Sequence, residues 1–103
     1  MCYKEPEQLQ LSIEVIHLPE ICRFLGIIIM IFYKDHAPPH FHAKYSDKAG
    51  IFSIENLKMI EGDLPQRIIS LVQEWATMHK KELKDDWDLA QKAKPLKKIE
   101  PLV

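Results

Sequence analysis

Three of the five histidines in this chain of 103 residues lie within seven residues of one another, in the segment DHAPPHFH at positions 35–42. Imidazole titrates near neutral pH and is the commonest protein ligand for transition metals, and a neighbouring carboxylate can ligate a metal or pair with a protonated ring. The segment is therefore where residue types and spacing best suit chemistry.

The prolines at 38 and 39 fix their own φ and favour an extended chain before them, so we expect a strand to begin near Phe41. Side chains alternate along a strand, which places His40 and His42 on one face, about 6.6 Å apart, and Phe41 on the other, towards the core. Asp35 and His36 can fold back from the preceding loop.

One hypothesis is a metal site, because two histidines at alternate strand positions can converge on one ion, with His36 or Asp35 as a third ligand. The spacing permits such a site without requiring it. We therefore expect no cofactor, with a divalent transition metal such as zinc as the alternative.

A second hypothesis is acid–base catalysis of RNA cleavage by the histidines, with Arg23 and Arg67 as the cations that hold a phosphate. The chain has 14 basic and 15 acidic residues, and this near-neutral balance gives weak support for RNA or DNA as a partner. The favoured interpretation is structural: the histidines hydrogen-bond loop carbonyls, and the rigid loop doubles as a surface for protein recognition.

Composition predicts one globular domain in the reducing cytosol. Hydrophobic residues make up 47% and charged residues 28% of the chain, and two cysteines are too few for a disulfide framework. The longest apolar run is far shorter than the roughly 20 residues needed to span a bilayer, so no membrane association is expected.

The first half of the chain has the period of β-strands, and the second half has that of a helix. We predict strands over 9–16, about 24–33, 41–45, 51–54 and 58–60, with a hairpin turn at 47–50. Over 64–92, apolar residues then recur at intervals of three and four residues. This spacing is typical of an amphipathic helix, which would bury Trp75, His79 and Trp87.

Unbroken, this helix would be about 43 Å long, whereas a domain of this size has a radius of gyration of about 13 Å. It must break, with Asp85 as the candidate position, or protrude and require self-association. The predicted fold is α+β: a small antiparallel sheet packed against one long or broken amphipathic C-terminal helix.

Several motifs together resemble the small bacterial family called domain of unknown function 4160. They are LPEICRF at 18–24, DHAPPHFH at 35–42, GDLPQR at 62–67, LVQEW at 71–75, His79, Glu82-Leu83 and IEPL at 99–102. Family members usually begin with Met-Pro where this chain has Leu18-Pro19, which implies a single domain over 18–103 preceded by an extension over 1–17.

The resemblance implies no activity, but such genes often stand beside a second small gene in arrangements like toxin–antitoxin pairs. We therefore expect a cytosolic interaction module that binds a small protein partner encoded nearby. The alternative is a small histidine-dependent enzyme, RNase-like or metal-dependent, that uses the cluster at 35–42 with Arg23 and Arg67.

Overall fold

The computed structural model describes residues 19–103, which form a five-stranded antiparallel sheet and two helices. The elements are β1 Glu20–Phe24, β2 Ile27–Met30, β3 His40–Tyr45, β4 Lys48–Ser53, β5 Met59–Gly62, α1 Gln66–Met78 and α2 Lys80–Gln91. Each strand pairs with the next along the chain, so the sheet is a meander. The predicted α+β class is confirmed, whereas the predicted strand over 9–16 lies outside the described residues.

The single strand predicted over about 24–33 is right only for its middle part: β2 spans Ile27–Met30, and Phe24 ends a separate strand, β1. Leu25 and Gly26, with φ of 50° and 80°, form a two-residue turn between β1 and β2. Two successive positive φ values are what a tight turn between twisted strands requires, and glycine adopts them at low cost. Both strands are rich in apolar residues, so hydrophobicity alone did not reveal the turn.

The second strand of the next hairpin, β4, begins earlier than predicted. Tyr45 pairs with Lys48 across a two-residue turn, so β4 starts three residues before the expected Ile51. Phe41 and Phe52 face each other in this ladder, with their rings stacked 5.3 Å apart. The predicted inward direction of Phe41 is correct.

The helical region is broken, as one of the two alternatives predicted, but at His79 rather than near Asp85. His79 has φ of −127°, and its backbone N–H bonds to Ala76, which closes α1. Its carbonyl accepts the N–H of Leu83 and so begins α2. The break lets each helix bury its own apolar stripe, and the argument for self-association from one protruding helix therefore does not apply.

The core fills the space between the helices and one face of the sheet. Trp75 of α1 lies at its centre, with its ring centroid 5.8 Å from that of Phe24 and 6.1 Å from that of Phe41. The C-terminal tail after α2 runs beside β1, where the N–H of Ile99 donates to the carbonyl of Ile21. The Trp75 indole N–H donates to the carbonyl of Glu100 in the same tail.

On the opposite side of the sheet most side chains are exposed or only half-buried; these are here called the open face, and the buried His40 lies at its margin. By strand register its members are Arg23, Ile28, Met30, His42, Lys44, Ala49, Ile51 and Glu61. Within residues 19–103, neither helix is long and apolar enough to cross a membrane.

Candidate functional site

The loop between β2 and β3 is held in place by the end of α2. The backbone N–H of Lys34 donates to the carbonyl of Ala90 at 3.2 Å, and the side-chain amide of Gln91 donates to the carbonyl of Asp35 at 3.0 Å. These bonds join residues more than fifty positions apart. They fix the backbone that carries the Asp35 carboxylate against the start of β3.

Asp35, His40 and His42 converge at this point and are here called the carboxylate–histidine cluster. Oδ2 of Asp35 lies 2.9 Å from Nε2 of His40 and 3.5 Å from Nε2 of His42. The three atoms that could ligate a metal all lie within 4.8 Å of one another. The site thus combines the two imidazoles that the strand spacing placed side by side with Asp35, one of the two residues considered as a third member.

His40 is the most constrained member of the cluster. Its side chain is 6% exposed, and its ring centroid lies 5.1 Å from that of Trp87. Nδ1 lies 2.7 Å from the carbonyl oxygen of Pro38, which can only accept, so Nδ1 carries a hydrogen. Nε2 is therefore the atom that faces Asp35, where it either donates a proton or offers a lone pair.

Burial and hydrogen bonding set the charges of the other two members. Burial lowers the pKa of His42 despite the opposing bond to Asp35, which favours a neutral imidazole. Burial alone would raise the pKa of Asp35, but hydrogen bonds from the His36 N–H and from the two imidazoles outweigh it and lower that pKa. An ionised carboxylate beside a neutral imidazole suits both metal ligation and proton transfer.

His36, the third predicted histidine, lies at the edge of the site. Its side chain is 89% exposed, with Nδ1 3.1 Å from Oδ1 of Asp35, the oxygen that does not contact the other histidines. Its backbone N–H donates to the same oxygen at 2.9 Å. His36 therefore orients the carboxylate through its backbone, while its ring stands apart from the three converging ligand atoms.

The two predicted arginines are engaged elsewhere. Arg23 forms two hydrogen bonds to the Glu20 carboxylate in β1. Arg67 donates to the Tyr45 hydroxyl at 3.1 Å and lies over its ring. Tyr45 is three residues from His42 and so lies on the opposite, helix-covered face of the sheet. The structure brings neither arginine into hydrogen-bonding contact with the cluster.

His42 connects the cluster to the open face. It stands in one row with Met30, Ile51 and Glu61 on the neighbouring strands. The ring of Phe32 meets the His42 ring edge-on at 4.5 Å. On the other side, a depression of about 210 Å³ is lined by His42, Ala49, Gly50, Ile51, Glu61 and Gly62. The chemical groups of the cluster are therefore contiguous with the open face.

Two supporting residues were missed as parts of the site. Trp87 was assigned to the core, although its ring also packs against His40, and Gln91 was not singled out. The only signal in the sequence was their place on the second half of the helical pattern. That pattern predicts which residues face inwards but not which loop they meet.

Fold and site together define a small α+β protein with a carboxylate–histidine cluster at the margin of an open sheet face. The family model described as domain of unknown function (DUF4160) matches residues 26–88, and the chain belongs to this family. No curated protein and no solved structure matched the chain. The matched range runs from the first turn to just past Trp87 and so includes the whole cluster.

Proposed function

We propose that the protein is an interaction module of a toxin–antitoxin-like gene pair, and that it binds a small protein partner through the open face. The observation that carries this proposal is the face itself: β2 and β4 present half-buried isoleucine and methionine side chains on it, where a solvated sheet face normally carries polar residues.

The composition of the face resembles that of a protein interface. Ile28 and Met30 of β2 and Ile51 of β4 supply its apolar centre, with His42 of β3 between Met30 and Ile51. Phe32, which is 39% exposed, extends this centre beyond the end of β2. An apolar patch surrounded by polar residues is typical of a surface that another protein covers.

Charged residues of both signs stand among and beside these apolar side chains. Arg23 and Lys44 lie on one row and Glu61 on the next, all exposed. Such a charge pattern selects a partner with complementary charges and contributes more to specificity than to affinity. The arrangement favours a folded protein partner over nucleic acid, because the face lacks a continuous basic stripe among residues 19–103.

The experiment is co-expression with the small protein encoded by the neighbouring gene, followed by size-exclusion chromatography of the mixture. Met30→Glu places a charge in the centre of the face and should weaken the complex at least about tenfold, as for an interface hot spot. Met78→Glu makes the same change at a residue of α1 that is 58% exposed, and it should leave the complex intact.

Two results would contradict the proposal. One is the absence of a complex with the wild-type chain at micromolar concentrations. The other is equal binding by the two variants, which would place the contact outside the open face.

A second candidate function, a small histidine-dependent enzyme, is favoured by the pairing of Asp35 with His40. A carboxylate that orients an imidazole is a common part of acid–base sites. The RNase-like form also needs cations near the phosphate, and Arg23 and Arg67 are held by Glu20 and Tyr45. Hydrolysis assays on RNA with the wild-type chain and His40→Ala test this candidate, which predicts activity that the substitution abolishes.

A further inference from the structure

We propose that Asp35, His40 and His42 bind one divalent transition metal ion, with zinc the best match, and leave one coordination position open to exchangeable ligands. The proposed site stands on the geometry of the cluster. It goes beyond partner binding and does not depend on it.

The first argument is the convergence of the ligand atoms. In a tetrahedral site with ligands about 2.0–2.2 Å from zinc, neighbouring ligand atoms lie about 3.4 Å apart. Oδ2 of Asp35 is 2.9 Å from His40 and 3.5 Å from His42, and the three ligand atoms lie within 4.8 Å of one another. Adjustments on the order of 1 Å would bring all three atoms onto one ion.

The second argument is the orientation of His40. Histidines that bind metals almost always donate their second ring N–H to a carbonyl or carboxylate, which fixes the tautomer and directs the other nitrogen to the ion. The bond from Nδ1 of His40 to the Pro38 carbonyl does this, and the Trp87 ring packs against the imidazole. Nε2 is thereby presented to the cluster without any rearrangement of the ring.

The third argument is the support of the carboxylate. Oδ1 of Asp35 accepts the backbone N–H of His36, which leaves Oδ2 as the oxygen that faces the imidazoles. Gln91 holds the Asp35 backbone from α2. A site supported from a separate helix has the rigidity that metal ligation requires.

The donor set indicates the class of ion. Two imidazole nitrogens and one carboxylate oxygen suit zinc and its transition-metal neighbours, whereas calcium and magnesium prefer sites made of oxygen ligands. The side chains of Asp35 and His42 are 18% and 22% exposed, so the cluster reaches solvent. A divalent ion with one carboxylate ligand leaves a net positive site, and the fourth position would take water or a small anion.

The test begins with untagged protein that has been stripped with a chelator, dialysed against zinc and analysed by mass spectrometry for metal content. We expect one equivalent per chain and a rise in Tm of about 10 °C at free zinc about 100-fold above Kd. Magnesium at the same concentration should give no shift. Cobalt in place of zinc should give a visible absorption spectrum that changes when thiocyanate is added to occupy the open position.

Variants locate the ion. Asp35→Asn keeps the shape of the side chain but weakens it as a ligand, and His42→Ala removes a ligand. Loss of a hydrogen-bond partner of a metal ligand typically weakens metal binding about 10- to 100-fold. Because these variants change the ligands themselves, each should weaken zinc binding by about 100-fold or more. His79→Ala, which removes a histidine bonded to Glu82 on the helices, should leave the zinc affinity unchanged.

Circular dichroism of each metal-free variant shows whether it has folded. Because Asp35→Asn changes the shape of the site least, its result decides the outcome if His42→Ala does not fold. The proposal is overturned if the folded wild-type chain takes up no zinc, or if Asp35→Asn binds zinc as tightly as the wild type, since the ion would then lie elsewhere. These measurements use the chain alone, so their outcome is independent of the partner experiment.

Discussion

The two faces of the sheet share the same strands but differ in the burial and the chemistry of their side chains. On the helix-covered face, Phe41 and Phe52 are fully buried and stack on each other beneath Trp75. One residue further along β3, His42 points to the open face, where it contacts a carboxylate and a half-exposed phenylalanine. A strand can thus supply the stability of the fold with one set of side chains and the site with the alternate set.

The largest difference between the faces should appear in the free energy of unfolding. Phe41→Ala removes a fully buried ring and should destabilise the domain by about 3–5 kcal/mol. Ile51→Ala, on the neighbouring strand but on the open face, should cost about 1 kcal/mol because its side chain is only half-buried. Urea denaturation monitored by tryptophan fluorescence measures both, and equal losses would contradict the distinction between the faces.

Substitution of the buried His40 should likewise reduce stability more than substitution of the exposed His36, although by a smaller amount. His40→Ala removes the side-chain partner of the Pro38 carbonyl and one of the partners of the Asp35 carboxylate, and it opens space beside Trp87. We expect a loss of about 2 kcal/mol in chelator-treated protein. His36→Ala is the control, because that ring is largely exposed and its removal should change stability by less than about 0.5 kcal/mol. Similar losses for both variants would show that His40 does not anchor the loop.

A buried carboxyl on the helix side gives a prediction about pH. Asp86 of α2 is 1% exposed, and one of its oxygens accepts the N–H of Lys97 in the tail. Burial raises the pKa of Asp86 above the ordinary value of 3.8. Between pH 3.8 and the raised pKa, the folded state therefore binds more protons than the unfolded state. The contribution of Asp86 to stability is fully present below pH 3.8 and is lost as pH rises through the raised pKa.

Asp86→Asn should remove this contribution to the pH dependence. The difference in unfolding free energy between variant and wild type should shift in favour of the variant as pH rises from about 3.8 towards neutrality. Urea titrations at several pH values measure this shift, since any constant penalty from burying the amide cancels. Parallel curves for the two proteins would show that the Asp86 pKa is not raised.

The smallest effect concerns Arg67, which pairs with the Tyr45 ring and hydroxyl in an exposed position. Arg67→Ala should reduce stability by about 0.5–1 kcal/mol and leave both zinc uptake and partner binding unchanged. Loss of either binding activity in a folded variant would mean that Arg67 reaches the open face or the cluster, contrary to its place on the other side of the sheet.

Much of the fold could be predicted because it depends on periodicity. The alternation around Phe41 predicted the direction of its neighbours, and the spacing from Ile68 to Ala90 predicted an inward-facing helical stripe. The hairpin at Leu25–Gly26 and the break at His79 could not be placed in this way. Both lie inside patterns that continue across them, so the choice between one element and two depends on packing rather than on local spacing.

For the site, the sequence by itself determined that His40 and His42 lie side by side, because both are fixed by one strand. It left open whether Asp35 or His36 joins them and whether the arginines do. The tertiary structure decided these points: α2 holds the backbone of Lys34 and Asp35 through Ala90 and Gln91, and Arg67 lies in the first turn of α1 on the opposite face of the sheet. Contacts between residues so distant in the chain depend on how the elements pack, which no local pattern encodes.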